Sequence, residues 1–435
     1  MPKAITRKTF VQRFFLFLIG LLSFPALSKS LVEDKESDFI KQIAATNSTE
    51  AREEENVSII YEVKNGTPEQ NLTKAIEMMG GIEKFIGKND IVILKPNAQW
   101  WNQGMTNTNA MKGFIGLVLG MPGFSGEIIV AENHHDFDLR HASNLRGWTT
   151  NFKNGDFNFN ELVQYFQDKG YGNVTKYHWC DAGPYSKVKT PKDRIKHLVN
   201  EGIKTLLNKH RGRIVSGPED GDGYVWSDTE YSYDGKKTKM SYPIFTSKFS
   251  KTTIDFKNGA WRNGKYTGEP VKFINFAALN HHSSFAGVTS SLKNYLGIVD
   301  MTCGYIGAEP EGYVSFHYIG IPGMGGAIGT FMNTIRKADL NIVTAEWVGF
   351  ASRTDTRLAT RTKTILASTD PVALDYYGAK NILFPLGGSA VQLNNPDDKN
   401  GPFRKYLELC YREFCGTLDE NRMKAKKFNF KNIET

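Results

Sequence analysis

Residues 57–94 read V-S-I-I-Y-E-V-K-N-G-T-P-E-Q-N-L-T-K-A-I-E-M-M-G-G-I-E-K-F-I-G-K-N-D-I-V-I-L, and the hydrophobic period changes twice along them. Val57 to Val63 alternates as a strand does. Pro68 to Phe85 has helical spacing, with Pro68 at an early position where its missing N–H costs no hydrogen bond. Ile91 to Leu94 is short and apolar throughout, as befits a strand covered on both faces. The order strand, helix, strand then repeats: a helix at about Asn109 to Leu119, a strand at Glu127 to Ala131, a helix near Asn160 to Lys169 and a strand at Val174 to Trp179. This rhythm predicts an α/β fold, a mainly parallel sheet covered by helices on both faces.

Between residues 212 and 268 the rhythm breaks. Glu219-Asp-Gly-Asp-Gly-Tyr224 and Tyr233-Asp-Gly-Lys236 are hairpin signals, so these residues are expected to form a β-rich insertion, a subdomain or lid. Asp220 and Asp222 also resemble the start of a calcium loop, but no distal glutamate follows at the required spacing, and turns are the preferred reading. The α/β pattern resumes with a strand at Val271 to Leu279. A helix opens at Gly323-Met-Gly-Gly-Ala-Ile-Gly329 and runs to Lys337; its glycines read as tight packing or a loose anion nest, because neither a G-x-G-x-x-G nor a P-loop is completed. Strands at Leu340 to Ala345 and Thr364 to Ala367 and a helix from Pro371 to Ile382, capped by Asp370, follow. The expected parts are 57–211 and 269–385 as two α/β portions, 212–268 as the insertion and 386–435 as a C-terminal extension.

The start of the chain points to export. Lys3, Arg7, Lys8 and Arg13 precede an apolar run from Phe14 to Leu22, and Ala26-Leu27-Ser28 suits a signal peptidase, so 1–28 is expected to be a removable signal and 29–56 a flexible polar leader. Thr6-Arg7-Lys8-Thr9-Phe10-Val11 resembles a twin-arginine signal with lysine in the second place. A run this short predicts no permanent membrane span once the signal is cleaved. The first 28 residues hold four basic and no acidic residues, so their removal takes the formal charge from +8 to +4. That balance, with no basic stripe, speaks against nucleic acid as partner. The densest basic run, Lys424-Ala-Lys-Lys427, reads as a solvated tail. Four cysteines, with no C-x-x-C pair, exclude a disulfide scaffold and a ferredoxin-type cluster; Cys410 and Cys415 are close enough in sequence for a local disulfide.

The candidate site is N-H-H-S-S-F-A-G-V-T-S-S-L-K-N-Y-L-G, Asn280 to Gly297, read as a loop just past an apolar strand. Loops at the carboxyl ends of strands in such sheets are where ligands are held. His281 and His282 are candidate proton carriers, since imidazole titrates near neutrality. His134 and His135, after the strand ending at Ala131, are candidates for the opposing base. Lys293 joins them as a candidate catalytic residue. Lys95 and Lys293 offer positive charge for a carboxylate or phosphate, or a tether for a carbonyl-bearing cofactor. Asn97, Thr289, Asn294 and Asp370 are candidate binding residues. Glu132 is read as orienting a histidine or, with His282, serving a metal. Each has a plainer reading. In these the histidines simply bond backbone, Lys293-Asn294 cap a helix and anchor a turn, Asp370 and Asp375 sit at a helix start and its exposed face, and Trp100-Trp101 belong to a core or an interface.

Ile93-Leu-Lys-Pro-Asn97, Ile129-Val-Ala-Glu132, Gly287-Val-Thr-Ser-Ser-Leu-Lys-Asn294 with Gly297, and Asp339-Leu-Asn-Ile-Val343 leading to Leu366-Ala-Ser-Thr-Asp-Pro-Val-Ala-Leu-Asp375 occur in the order found in the family called domain of unknown function 362. The resemblance covers about residues 57 to 385, interrupted by the insertion. It implies an exported protein; some members carry an iron–sulfur module. More distantly, His281 or His282 followed by Lys293 is similar to the nickel-pincer lactate racemase group, where a lysine tethers the cofactor and histidines move the proton. Lys95-Pro96-Asn97 departs from that group's acidic residue and arginine, and His317 stands too far beyond Lys293 to match its second histidine. The expectation is thus an exported, periplasmic α/β enzyme, racemase-like or an oxidoreductase. It would act by acid/base chemistry on a small anionic ligand, with a divalent metal or a metal-containing organic cofactor as the candidate cofactor. The alternative is a noncatalytic protein that binds a glycan or a protein partner.

Overall fold

A computed structural model describes residues 57–98, 102–133, 148, 154–179, 213–300, 310, 312–414 and 416–432. The opening β-α-β unit is β1 (Ser58–Lys64), α1 (Pro68–Met78) and β2 (Ile91–Pro96). Thr67 starts α1 with a reciprocal cap: its hydroxyl accepts from the Gln70 N–H while the Gln70 side chain accepts from the Thr67 N–H. The helix ends at Met78, earlier than its apolar spacing suggests, because Gly80 and Gly81 turn the chain at φ 105° and 93°. Next come α2 (Thr108–Leu119), β3 (Glu127–Glu132), α3 (Phe159–Asp168) and β4 (Val174–His178).

The insertion is a five-stranded antiparallel sheet: β5 (Gly223–Tyr233), β6 (Lys236–Thr246), β7 (Thr253–Asp255), β8 (Gly259–Arg262) and β9 (Lys265–Tyr266). Its aromatic residues join the main core. Phe256 packs edge-on against Phe273 of the large sheet at 5.1 Å and against Trp179 at 5.8 Å. The Asp222 carboxylate accepts from Tyr177 and Thr246 hydroxyls, and Asp220 accepts from the Ser216 N–H, so both serve the turn.

The second half supplies β10 (Val271–Ser283), β11 (Gly287–Thr289), α4 (Ile321–Thr334), β12 (Leu340–Gly349), β13 (Ala359–Ser368), α5 (Pro371–Gly378), α6 (Pro402–Phe414) and β14 (Met423–Asn429). The large sheet has the order β14-β1-β13-β12-β10-β2-β3-β4, with β11 paired to the end of β10. It is mixed but mostly parallel; β13 lies antiparallel to both β1 and β12, and β11 antiparallel to β10. Successive strand residues feed different cores: Ile91 and Ile93 join one hydrophobic cluster, Val92 and Leu94 the other.

Two expectations are corrected here. The run Lys424–Lys427 is solvated, its lysines exposed, but it is not a tail: it lies in β14, which pairs in parallel with β1 at the sheet's edge. Charge along an edge strand discourages further strand pairing. The presumed loop from Asn280 begins instead as four more residues of β10, followed by the β10–β11 hairpin and a 3-10 turn at Lys293–Gly297.

The glycines of α4 are explained by packing. A methyl group on Gly325 would overlap the Tyr406 carbonyl of α6, and one on Gly326 would overlap the Tyr231 ring. Gly325→Ala should therefore lose ~1–3 kcal/mol through overpacking, reversing the ~1 kcal/mol that alanine normally gains over glycine in a helix. Urea unfolding checks the sign. Among the described residues no helix is long and apolar enough to cross a membrane. The signal, the leader, Trp100-Trp101 and Cys415 lie outside the described residues.

Candidate functional site

A row of polar side chains crosses the large sheet in register: Lys95 on β2, Asn275 on β10, Asn341 on β12 and Ser368 on β13. All are buried, and each is bonded. Asn275 Nδ2 donates to Ser291 O at 2.9 Å and to Asn341 Oδ1 at 3.0 Å, while its Oδ1 accepts from Asn294 Nδ2 at 2.7 Å. From the other side, both oxygens of Asp375 on α5 accept backbone N–H groups, those of Ser291 at 2.8 Å and Leu292 at 3.0 Å. Residues 290–297 are thus fastened to the sheet beneath and to α5. Asp375 is buried rather than on an exposed helix face, and burial pushes its carboxyl up to about 7 against the pull of those N–H groups.

Lys95 lies at the centre of this anchorage. Its ammonium donates to Glu132 Oε2 at 2.7 Å, Asn294 Oδ1 at 2.8 Å and Pro96 O at 2.9 Å. Burial lowers the Lys95 pKa and lifts Glu132 to about 7, each shift partly offset by the partner's opposite charge. Gly297 makes this possible: a Cβ there would overlap Glu132 Oε1 and sit 2.5 Å from Lys95 Nζ.

Above this floor opens a cleft of about 400 Å³, mouth included, at the carboxyl ends of β2, β3 and β10. Its enclosed interior is only about 30 Å³, far below the roughly 300–1,000 Å³ of ligand pockets, so a ligand would lie mostly in the mouth. Lys95, Asn97, Glu132, His282, Thr289, Lys293 and Asn294 line it together with Asn133, Gly297 and His317. His282 Nδ1 is 3.3 Å from Thr289 Oγ1, and its ring stands 6.0 Å from that of His317. The Arg353 guanidinium donates to the His282 carbonyl.

Lys293 differs from every other lining residue. It is 6 % exposed, and its amine has no hydrogen-bond partner among the described residues. Burial drives its pKa well below the ordinary lysine value, and the nearby charge of Arg353 adds to the drop.

The remaining candidates are elsewhere. His281 precedes His282 on a strand, where adjacent side chains face opposite ways; its Nδ1 accepts from Asn394 Nδ2 at 2.9 Å, and burial lowers its pKa. Asp370 caps α5, accepting from the Val372 and Ala373 N–H groups at 2.9 and 3.0 Å and from the hydroxyls of Ser58 and Tyr411, and does not line the cleft. His134 and His135 lie outside the described residues. Among the described residues no three His, Cys, Asp or Glu side chains gather as metal ligands, and Glu132 already accepts from Lys95 and the Ala98 N–H. The described donor set therefore does not fit a divalent metal.

Sequence reasoning missed His317, Asn133, Asn275 and Asn341 as parts of the site and its supports, and read Gly297 only as the turn closing the candidate stretch. An asparagine inside an otherwise apolar strand, as in Phe273-Ile-Asn-Phe276 and Leu340-Asn-Ile342, was the available signal for the last two.

No curated protein and no solved structure matches this chain, so the similarity to the nickel-pincer racemase group rests on the spacing of His282 and Lys293 alone. Residues 251–380 match the family described as Domain of unknown function (DUF362). That match holds β10, the 290–297 turn with Lys293, His317 and α5. The likeness to that family thus spans 130 of the chain's 435 residues.

Proposed function

We propose that the cleft binds a small anionic molecule and moves a proton on it, making the protein an enzyme of acid/base type. One observation carries this reading: the Lys293 amine is buried, unpartnered among the described residues, and part of the wall of a cleft that also holds His282 and His317. A buried polar group without a partner costs folding free energy. Proteins keep such costs at sites where a ligand completes the pairing. A carboxylate or phosphate supplies the acceptor, and imidazoles on the same wall exchange protons near neutral pH. Export after removal of residues 1–28, and a two-sided helical cover of the sheet, belong to the same reading. The first rests on the basic-then-apolar start, the second on helix residues contributing to both core clusters.

The test is Lys293→Met. Because the amine is uncompensated, its removal should leave the empty protein as stable or ~1–3 kcal/mol more stable. The stabilisation given by small carboxylates or phosphates, ~2.7 kcal/mol at a hundredfold excess over Kd, should vanish. Thermal melts of both proteins with a panel of small anions measure this. A destabilised variant that still responds to the anion would refute the proposal.

A further inference from the structure

We propose that Lys293 is a nucleophile that takes a small carbonyl-bearing acid, of the 2-oxo acid class, as an imine. This rests on the reading of the cleft as a site for small anions and deepens it by naming the ligand's reactive group.

The two lysines of the cleft are treated differently by the fold. Lys95 meets a carboxylate, an amide oxygen and a carbonyl, all within 2.9 Å, which saturates its three donors. Lys293 meets none of these. Glu132 is the only carboxylate among the described lining residues, and it is held by Lys95. The described cleft therefore gives Lys293 no counter-charge, and the charge of Arg353, which acts on it, is positive. Burial without a described acceptor, with the charge of Arg353 adding to it, pushes the Lys293 amine toward its neutral form, and a neutral amine is the nucleophilic form. An amine meant only to hold an anion would be better served by its charged form. Arg353 does not line the cleft, but its charge adds to the positive field a carboxylate would meet there.

The chemistry balances with groups already present. The Lys293 nitrogen lone pair forms a bond to the carbonyl carbon, and the carbonyl π pair moves to oxygen, which takes a proton from an imidazolium of the His282 and His317 pair. The resulting carbinolamine gives one N–H proton to the imidazole, which passes it to the hydroxyl; water leaves with the C–O electron pair as the nitrogen lone pair forms C=N, and the second N–H proton returns to the imidazole. The sum is amine plus carbonyl giving imine plus water, with no oxidant or reductant. The imine then draws electrons from the neighbouring carbon, so an imidazole can lift a proton there.

The test uses the whole chain with pyruvate or glyoxylate and sodium cyanoborohydride, which reduces an imine to a stable secondary amine. Intact-mass measurement and peptide mapping should show one adduct, on Lys293, forming at least tenfold faster than on any other lysine and absent from Lys293→Arg. Malonate, an anion without a ketone or aldehyde, should slow it by competition. Adducts spread over surface lysines, or none at all, overturn the imine. If malonate still raises the melting temperature while no adduct forms, the imine falls and anion binding stands; if malonate has no effect and no adduct forms, both fall.

Discussion

Gly297→Ala should collapse the site and destabilise the protein by ~3–5 kcal/mol, the range for disrupting a buried ion pair. The added methyl has nowhere to go. It meets Glu132 Oε1, Lys95 Nζ at 2.5 Å and Lys95 Cε at 2.8 Å, and all of these belong to buried side chains fixed by other bonds. Either the 3-10 turn lifts, breaking the bond from the Asn133 N–H to the Gly297 carbonyl (3.0 Å), or the ion pair opens inside the protein. Because the turn begins at Lys293, the first outcome also displaces the unpartnered amine. Urea denaturation gives the energy, and loss of any anion-induced thermal shift gives the site effect. Near-wild-type stability in this variant would mean that the turn does not press on the ion pair. A control at Gly116, where a Cβ meets nothing within 4 Å, should be neutral or gain helix stability.

This dependence on one hydrogen atom at residue 297 illustrates what the sequence could and could not disclose. Lys95, Glu132, Lys293 and Asn294 were legible because each breaks an apolar run or follows one, and the parallel order of β2, β3 and β10 carries such ends to one edge. His317 was not legible, since it belongs to no repeating pattern and reaches the cleft only through the fold. The two histidines could not be separated while Asn280 onward read as loop. Once β10 runs to Ser283, strand alternation sends His282 to the cleft and His281 toward Asn394. The polar row through Asn275 and Asn341 was hidden because strand register between residues 66 positions apart is a property of the sheet. For the same reason β14 looked like a tail: its partner β1 is at the opposite end of the described chain.

Lys95→Met and Glu132→Gln should give opposite dependences of stability on pH, and this separates a buried charged pair from a mere pair of hydrogen-bonding groups. In the wild type the Glu132 pKa is raised from its ordinary 4.5 to about 7 by burial, in spite of Lys95. The native state therefore binds more protons than the unfolded chain across that window. Stability from this group is complete below about 4.5 and is lost as pH rises through about 7. Lys95→Met removes the attraction that holds Glu132 down, so its pKa climbs further and the loss continues above neutrality, amounting to ~3–5 kcal/mol once the carboxylate must ionise unpaired. In Glu132→Gln the amide oxygen still accepts from Lys95, but the counter-charge is gone and burial lowers the lysine further. A lysine whose folded pKa is lowered contributes stability that is present above its ordinary value of 10.5 and lost as pH falls through the folded one, so this variant should strengthen from pH 5 toward alkaline pH. Replacing both, Lys95→Met with Glu132→Leu, removes both buried charges and should recover most of the loss, because apolar substitution of a buried pair is often neutral. Urea midpoints at pH 5 and pH 8 for the four proteins decide it. Parallel pH profiles in the two single variants would show that no buried charge pair stands between β2 and β3.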